Sequence, residues 1–297
     1  MLSILVPIYN HSIIELAKQL VSQCSNNKIE CEIIFTDDCS NNKQIAETNS
    51  SVSTMPTVEY TVLKENLGRA KIRNFLADKA KGDWLLFLDC DCLPCNSEFI
   101  INYLAQVGNA DIICGGTKYN NKNQLTKDYF LHWKNGKQRE EGRHHFTTNN
   151  FLIKKQVFEK VRFDEEIKGY GHEDTLFACE VKKNNYKIAF INNPVEHLGL
   201  KTTDKFIEDT ITASRNLAIL YNNLQYKENL KDISLIKTYE KLNSLHLVNT
   251  YRKIVSLFNK ILMKQLHSNR PCLKFLDIIK LYNFCNCVNK LTETIKA

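Results

Sequence analysis

Five short apolar runs in the first 115 residues, separated by polar stretches, constrain this chain more than any other feature. Ser3 to Ile8, Cys31 to Thr36, Val58 to Leu63, Trp84 to Leu88 and Asp111 to Gly115 read as strands. Between them, Ile13 to Cys24 and Ala70 to Ala80 carry apolar residues at helical spacing. Strands alternating with helices predict an α/β fold with a mostly parallel sheet covered on both faces. Ligands of such sheets bind beyond the carboxyl ends of the strands, so the chemistry is to be sought in the residues that follow each strand.

Those residues form a set. Pro7, Tyr9 and Asn10 end the first strand, Asp37-Asp38-Cys39-Ser40 follow the second, and Asp89-Cys90-Asp91 follow the strongly apolar Trp84 to Leu88. Two carboxylates two residues apart in extended chain point to the same side. Hard oxygen ligands on one side suit Mg²⁺ or Mn²⁺, which can bridge phosphate oxygens. A lone Asp-X-Asp is ordinarily a solvated turn; its place after so apolar a strand, with a second acidic pair closing an earlier one, favours a site. Cys90 and Cys92 interleave with the carboxylates and are expected to face away from them. Cys90, Cys92, Cys95, Cys285 and Cys287 lack the paired spacing of a thiolate zinc site, and packing is the better reading.

Composition narrows the class. The chain of 297 residues suits one large domain or a core domain with an appendage. Its 43% hydrophobic and 25% charged residues exclude wholesale disorder. The formal net charge of +7 suits an anionic partner such as a nucleotide diphosphate or an acidic lipid face. Eleven scattered cysteines read as reduced thiols, and no signal peptide or spanning apolar run is evident. A cytoplasmic protein is expected. No basic helix with base-reading residues appears, so nucleic acid is not an expected partner.

The order of the motifs resembles that of family-2 glycosyltransferases with the GT-A fold. The resemblance is carried by Val6-Pro7-Ile8-Tyr9-Asn10, Glu32 to Ser40, Asn66-Leu67-Gly68-Arg69-Ala70 with Arg73-Asn74, and Gly82 to Asp91. It continues through Asn149-Asn150-Phe151-Leu152-Ile153, Phe163-Asp164-Glu165 and Gly169-Tyr170-Gly171-His172-Glu173-Asp174, over roughly two-thirds of the chain. It implies a GT-A catalytic domain at 1–200, with a nucleotide-sugar half at 1–115 and an acceptor-side half at 116–200, and a helical region at 201–297.

By that resemblance, Pro7, Tyr9 and Asn10 pack around the base and ribose of a UDP-sugar, and Asp38, or its neighbour Asp37, accepts from the uracil ring. Arg69 and Arg73 lie on the donor side, where Arg73 pairs with phosphate or holds the acidic loop. Asp89 leans to the ribose or a metal-bound water, and Asp91 coordinates Mn²⁺ or Mg²⁺. Cys39 stands where the family has Gly, at a turn that can require positive φ and carry strain.

Asp174 is implied as the general base of an inverting transfer to a hydroxyl of a glycan or lipid-linked acceptor. Glu173 contacts the acceptor or orients the loop. Helix capping is the ordinary use of such a pair, beside a helix read at Thr175 to Lys183. His197 is either a metal ligand or a structural histidine. Asn149, Asn150, Trp133 and His172 are acceptor-side candidates, Trp133 by stacking on a sugar or simply by filling the core. His144 and His145 belong to a polar stretch read as a loop over the substrate. The family association is a bacterial surface or capsular polysaccharide.

From Thr202 onward glycine disappears and apolar residues recur at helical spacing: Leu242, Leu245, Val248, Tyr251, Val255, Phe258 and Leu262, with Lys253, Lys260 and Lys264 alongside. This is either an appendage packed on the catalytic domain or another subunit, or a basic amphipathic helix on the inner face of a membrane. Two other functions remain open at this level. A sugar-nucleotide nucleotidyltransferase normally shows a Gly-rich N-terminal loop, which Pro7 to His11 lacks. A catalytically inactive nucleotide-sugar-binding protein would not need both acidic centres.

Overall fold

The structure, a computed structural model, describes residues 1–119, 125–143, 146–167, 171–226 and 230–296, with side chains as far as 291. His144 and His145, expected in a loop over the substrate, and Gly169 and Tyr170 of the Gly169–Asp174 motif lie outside the described residues. Two compact units interleave along the chain. The first comprises 1–120, 139–168 and 180–199; the second comprises 121–138, 169–179 and 200–297.

The first unit begins with alternating elements: β1 (Leu2–Ile8), α1 (Ile14–Asn26), β2 (Cys31–Asp37), α2 (Lys43–Ser50), β3 (Val58–Val62), α3 (Arg69–Lys79) and β4 (Trp84–Leu88). It continues with β5 (Cys92–Pro94), α4 (Phe99–Leu104), β6 (Ile112–Cys114) and β7 (Thr117–Lys118). After α5 (Phe130–Arg139), most of which belongs to the second unit, come β8 (Asn150–Lys154) and α6 (Lys155–Lys160). α7 (Glu173–Lys183) starts in the second unit and ends in the first, and β9 (Ile188–Phe190) and β10 (Val195–His197) close the first. The observed strands lie within a residue or so of the apolar runs.

Seven strands form one sheet in the order β3-β2-β1-β4-β8-β6-β9. β8 alone runs against its neighbours, β4 and β6; the other pairings are parallel. This is the mixed, mostly parallel α/β architecture expected. β1, an interior strand between β2 and β4, shows why its run is apolar. Leu2, Ile4, Val6 and Ile8 pack with Ile13, Leu16, Ala17 and Leu20 on and beside α1. Leu5, on the opposite face, is equally buried, and α3 packs on β1 and β2. A strand buried on both faces needs an unbroken apolar run rather than an alternating one. A smaller sheet, β5-β10-β7, forms beside the end of β4.

The second unit is helical. Besides most of α5 and the start of α7 it holds α8 (Thr203–Asn222), α9 (Ser234–Ser244), α10 (Val248–Leu266) and α11 (Leu273–Lys296). Leu131 of α5, Phe206 and Ile207 of α8, Val255, Leu262 and Leu266 of α10, and Leu273, Leu276 and Ile279 of α11 form one core. The expected C-terminal helical region is thus present. Among the described residues, no helix is long and apolar enough to cross a membrane.

Candidate functional site

Sheet order places the ends of β2, β1 and β4 side by side, so the three polar segments that follow them share one edge. The segments after β1 and β2 are tied together by backbone and side-chain hydrogen bonds. Asp38 N–H donates to the Ile8 carbonyl at 2.8 Å, Asn10 N–H to Ser40 Oγ at 2.8 Å, and Asn42 N–H to Asn10 Oδ1 at 3.0 Å. Asn41 donates to the Tyr9 hydroxyl at 2.9 Å, while the Tyr9 ring remains exposed. Asn10 and Cys39 both take positive φ, 52° and 60°. Cys39 therefore occupies the left-handed conformation for which glycine is the usual residue, at a cost of about 1–2 kcal/mol.

Asp37 and Asp38 are both buried. Asp37 Oδ1 accepts from Ser40 N–H at 2.7 Å, and Asp38 accepts from Leu67 N–H at 2.6 Å and Gly68 N–H at 2.9 Å. Gly68, at φ 79°, is the N-cap of α3, so Asp38 sits where a helix start collects anionic charge. Burial nonetheless holds the Asp38 carboxyl above the usual carboxylate range.

The acidic pair is not extended chain. Cys92 N–H donates to the Asp89 carbonyl at 3.2 Å, closing a tight turn over Asp89–Cys92, and the two carboxylates meet different partners. Arg73, 3% exposed, donates from Nη2 to Asp89 Oδ1 at 2.5 Å and from Nη1 to the Arg69 carbonyl at 3.0 Å. Arg73 thus ties α3 to the acidic turn.

Asp91 goes to the other side because β5 starts immediately after the turn and pairs antiparallel with β10. Cys92 lies opposite His197, and Leu198 N–H donates to the Asp91 carbonyl at 2.8 Å. Asp91 Oδ2 lies 3.8 Å from His197 Nδ1. With Cys92 Sγ they make a group of three ligand atoms within 4.8 Å of one another. Asp89, expected as a further metal ligand, is not part of it. Cys92, expected to face away, has its Sγ 3.7 Å from Asp91 Oδ1, because the turn replaces the strict alternation of extended chain.

Hydrogen bonding defines the His197 ring. Gly199 N–H donates to Nδ1 at 3.1 Å, so Nδ1 presents the ring's lone pair. A cation there would displace that N–H and take the lone pair, 3.8 Å from Asp91 Oδ2. A cation about 2.1 Å from each ligand bridges atoms up to about 4.2 Å apart, so the pair fits Mg²⁺ or Mn²⁺. Burial and the charges of Asp91 and Asp89 push the Cys92 thiol well up, which disfavours the thiolate a soft metal would want. Gly199 completes the cradle: a Cβ there would lie 1.9 Å from Asp91 Oδ2. The Tyr119 ring stands 5.5 Å from that of His197, its hydroxyl donating to Glu140 and its N–H donating to Glu141 at 2.9 Å.

The asparagines support this centre from within. Asn149 accepts Asp89 N–H on its carbonyl at 3.1 Å and donates its amide to Thr117 Oγ1 at 2.8 Å. Asn150, expected on the acceptor side, is 0% exposed. Its side chain accepts from Tyr103 and donates to the carbonyls of Gly116 and Asn193. A fully buried amide with these partners cannot reach an acceptor. The motif is structural at that position.

In the second unit, α7 begins at Glu173, two residues earlier than expected, and Asp174 lies in its first turn. Asp174 Oδ1 accepts from Thr175 N–H at 2.7 Å. His172 takes φ 76° and its Nδ1 lies 3.3 Å from Thr175 Oγ1; burial lowers its pKa. Glu173 is buried, which suits orienting the loop rather than contacting an acceptor. Trp133 on α5 lines a cleft of about 290 Å³ with Phe130, Lys134, Lys137 and Arg270.

The mostly parallel sheet with an acidic turn beyond β4 is the architecture that the motif order led one to expect. The chain belongs to glycosyl transferase family 2, whose model matches residues 3–162. An uncharacterized glycosyltransferase of Haemophilus influenzae is 38% identical over 119 residues, covering 38% of this chain and 37% of that protein. A second from the same organism is 31% identical over 109 residues, covering 36% and 43%. The chain thus spans less than half the length of either relative. Among solved structures, TarS 1-349 of S. aureus in complex with UDP-GlcNAc has a TM-score of 0.53 at 17% identity, covering 99% of this chain and 92% of that one. A mannosyltransferase of Pyrobaculum calidifontis in complex with GDP-Man and Mn²⁺ has a TM-score of 0.57 at 11% identity, covering 98% and 87%. These likenesses are of fold.

Proposed function

We propose that this glycosyltransferase moves a hexosyl or N-acetylhexosaminyl group from a UDP-sugar to a hydroxyl of a glycan or lipid-linked saccharide, with inversion at the anomeric carbon. The observation that carries the reading is the meeting of Asp91 and His197, 3.8 Å apart, at the edge where the donor-side segments converge. The neighbours solved with UDP-GlcNAc and with GDP-Man and Mn²⁺ support a nucleotide-sugar and a divalent cation.

Asp91 and His197 would hold Mn²⁺ or Mg²⁺, which when bound supplies positive charge to the diphosphate leaving group. Arg73 keeps Asp89 fixed beside that position for the ribose. Tyr9 offers an exposed ring to the base, and Pro7 and Asn10 shape the same wall. Asp38 spends acceptor capacity on Leu67 and Gly68; a carboxylate has about four lone-pair sites, leaving room for a uracil N–H.

Asp174 takes the proton of the acceptor hydroxyl as that oxygen bonds to the anomeric carbon and the bond to the diphosphate breaks. One displacement of this kind inverts the configuration. The first turn of α7 suits a carboxylate there, because free N–H groups collect at a helix start. Glu173 and His172 shape the loop that presents it. The protein is read as cytoplasmic, serving polysaccharide synthesis in a bacterium, with its C-terminal helices toward a membrane or a second subunit.

The test is release of UDP from a panel of UDP-sugars with Mn²⁺ present and absent, by the parent and by Asp174→Asn. The expected loss in turnover is about 10²–10⁴-fold with donor binding intact. A saturating donor, at about a hundredfold its dissociation constant, should stabilise both proteins by about 2.7 kcal/mol. Undiminished turnover by Asp174→Asn would remove it as the base.

A further inference from the structure

The apolar band of α10 is wider than its packing uses. Val255, Leu262 and Leu266 turn into the helical core. Next to them on the helix, Ile254, Leu257, Phe258 and Ile261 are 52%, 79%, 48% and 62% exposed. At about 100° per residue these four fall within an arc of about 100°. Leu245 and Leu247, just before the helix, are exposed as well. Lys253, Lys260 and Lys264 stand along the edge of this stripe that faces away from the core side.

Charge says what covers it. Residues 241–276 hold seven basic residues, Lys241, Arg252, Lys253, Lys260, Lys264, Arg270 and Lys274, and no Asp or Glu. The whole chain has 40 basic and 33 acidic residues, so the remainder holds 33 of each and the net charge of +7 is this stretch's. A second copy of the helix would bring the same lysines to the contact and no acid to meet them, so self-association is opposed by like charge. A surface of acidic headgroups over acyl chains meets both needs: apolar side chains bury and lysines reach phosphate.

We infer that the exposed face of α10 docks on an anionic lipid bilayer, lying in its interface. Since α10 is not among helices apolar enough to span, the contact is peripheral. It takes up the membrane alternative of the proposed function, and vesicle binding reads it without any assay of transfer.

The test is co-sedimentation of the full chain with vesicles of phosphatidylcholine and of phosphatidylcholine mixed with phosphatidylglycerol. Binding is expected on the mixed vesicles, weaker on phosphatidylcholine alone, and reduced by salt. The double change Leu257→Glu with Phe258→Glu should lower partitioning at least about tenfold. The triple change Lys253→Gln, Lys260→Gln and Lys264→Gln should lower it about a hundredfold. All five positions are exposed, so both variants should keep the parent's circular dichroism and melting temperature. A parent that stays in the supernatant with mixed vesicles overturns the inference, as do variants that sediment like the parent. A dimer lost on Leu257→Glu, without vesicle binding, would overturn it too and give the face to a second copy.

Discussion

At the scale of single residues, the site depends on side chains that make room as much as on those that carry charge. Gly199→Ala would drive a methyl into the Asp91 carboxylate, since the Cβ falls 1.9 Å from Oδ2. Supporting positions of metal sites typically cost about 10–100-fold in metal affinity when lost. That loss is expected in a Mn²⁺ titration of UDP release, with little change in melting temperature. Arg73→Met should act differently. It leaves Asp89 without its partner next to an apolar core, and breaking a buried pair costs about 3–5 kcal/mol. Asp89 is 25% exposed, so urea unfolding should show about 3 kcal/mol, the low end of that range. Cys92, Gly199 and Tyr119 were not legible as site residues. A thiol, a glycine and a tyrosine scattered over the chain carry no spacing signal; the pairing of β5 with β10 brings them together. Asn150 was misread for the complementary reason: a motif position looks the same in sequence whether it touches ligand or supports the fold.

At the scale of elements, strand positions were legible because each buried strand is a short apolar run with a polar stop, and tertiary packing agrees with that pattern. The turn at Asp89–Cys92 was only half legible: Asp-X-Asp ordinarily reads as a turn, but with neither Gly nor Pro to force the bend the extended reading put both carboxylates on one side. The helical unit offers a prediction of its own. His267, just past the end of α10, has Nδ1 2.8 Å from the Met263 carbonyl and Nε2 2.8 Å from Asp204 Oδ1 at the start of α8. Both ring nitrogens face acceptors, so the imidazolium satisfies both. The Met263 carbonyl, then Asp204, raises its pKa above the ordinary 6.5. A pKa raised by folding adds stability that is full below about 6.5 and is lost as pH climbs through the raised value. Asp204 is 87% exposed, so the effect should be a few tenths of a kcal/mol, about what a surface pair supplies. Urea midpoints on either side of that window should fall with rising pH in the parent, and the slope should flatten in His267→Gln. A parent slope equal to that of the variant would deny His267 this role.

At the scale of the whole molecule, two acidic centres divide the proposed chemistry. Asp91, with His197, belongs to the unit built on the sheet, and Asp174 to the helical unit. That division was half legible. The proposed donor side follows from strand ends that a parallel sheet exposes, whereas no local pattern in the sequence names an acceptor or a sugar. Asp91 and His197 are proposed to hold the cation that accompanies the nucleotide diphosphate. Titrating Mn²⁺ into the protein with UDP present, and following the free ion by electron paramagnetic resonance, tests that role. One Mn²⁺ site is expected in the parent, weakened at least about tenfold in His197→Ala and lost in Asp91→Ala. Equal Mn²⁺ affinity in the parent and Asp91→Ala would contradict it.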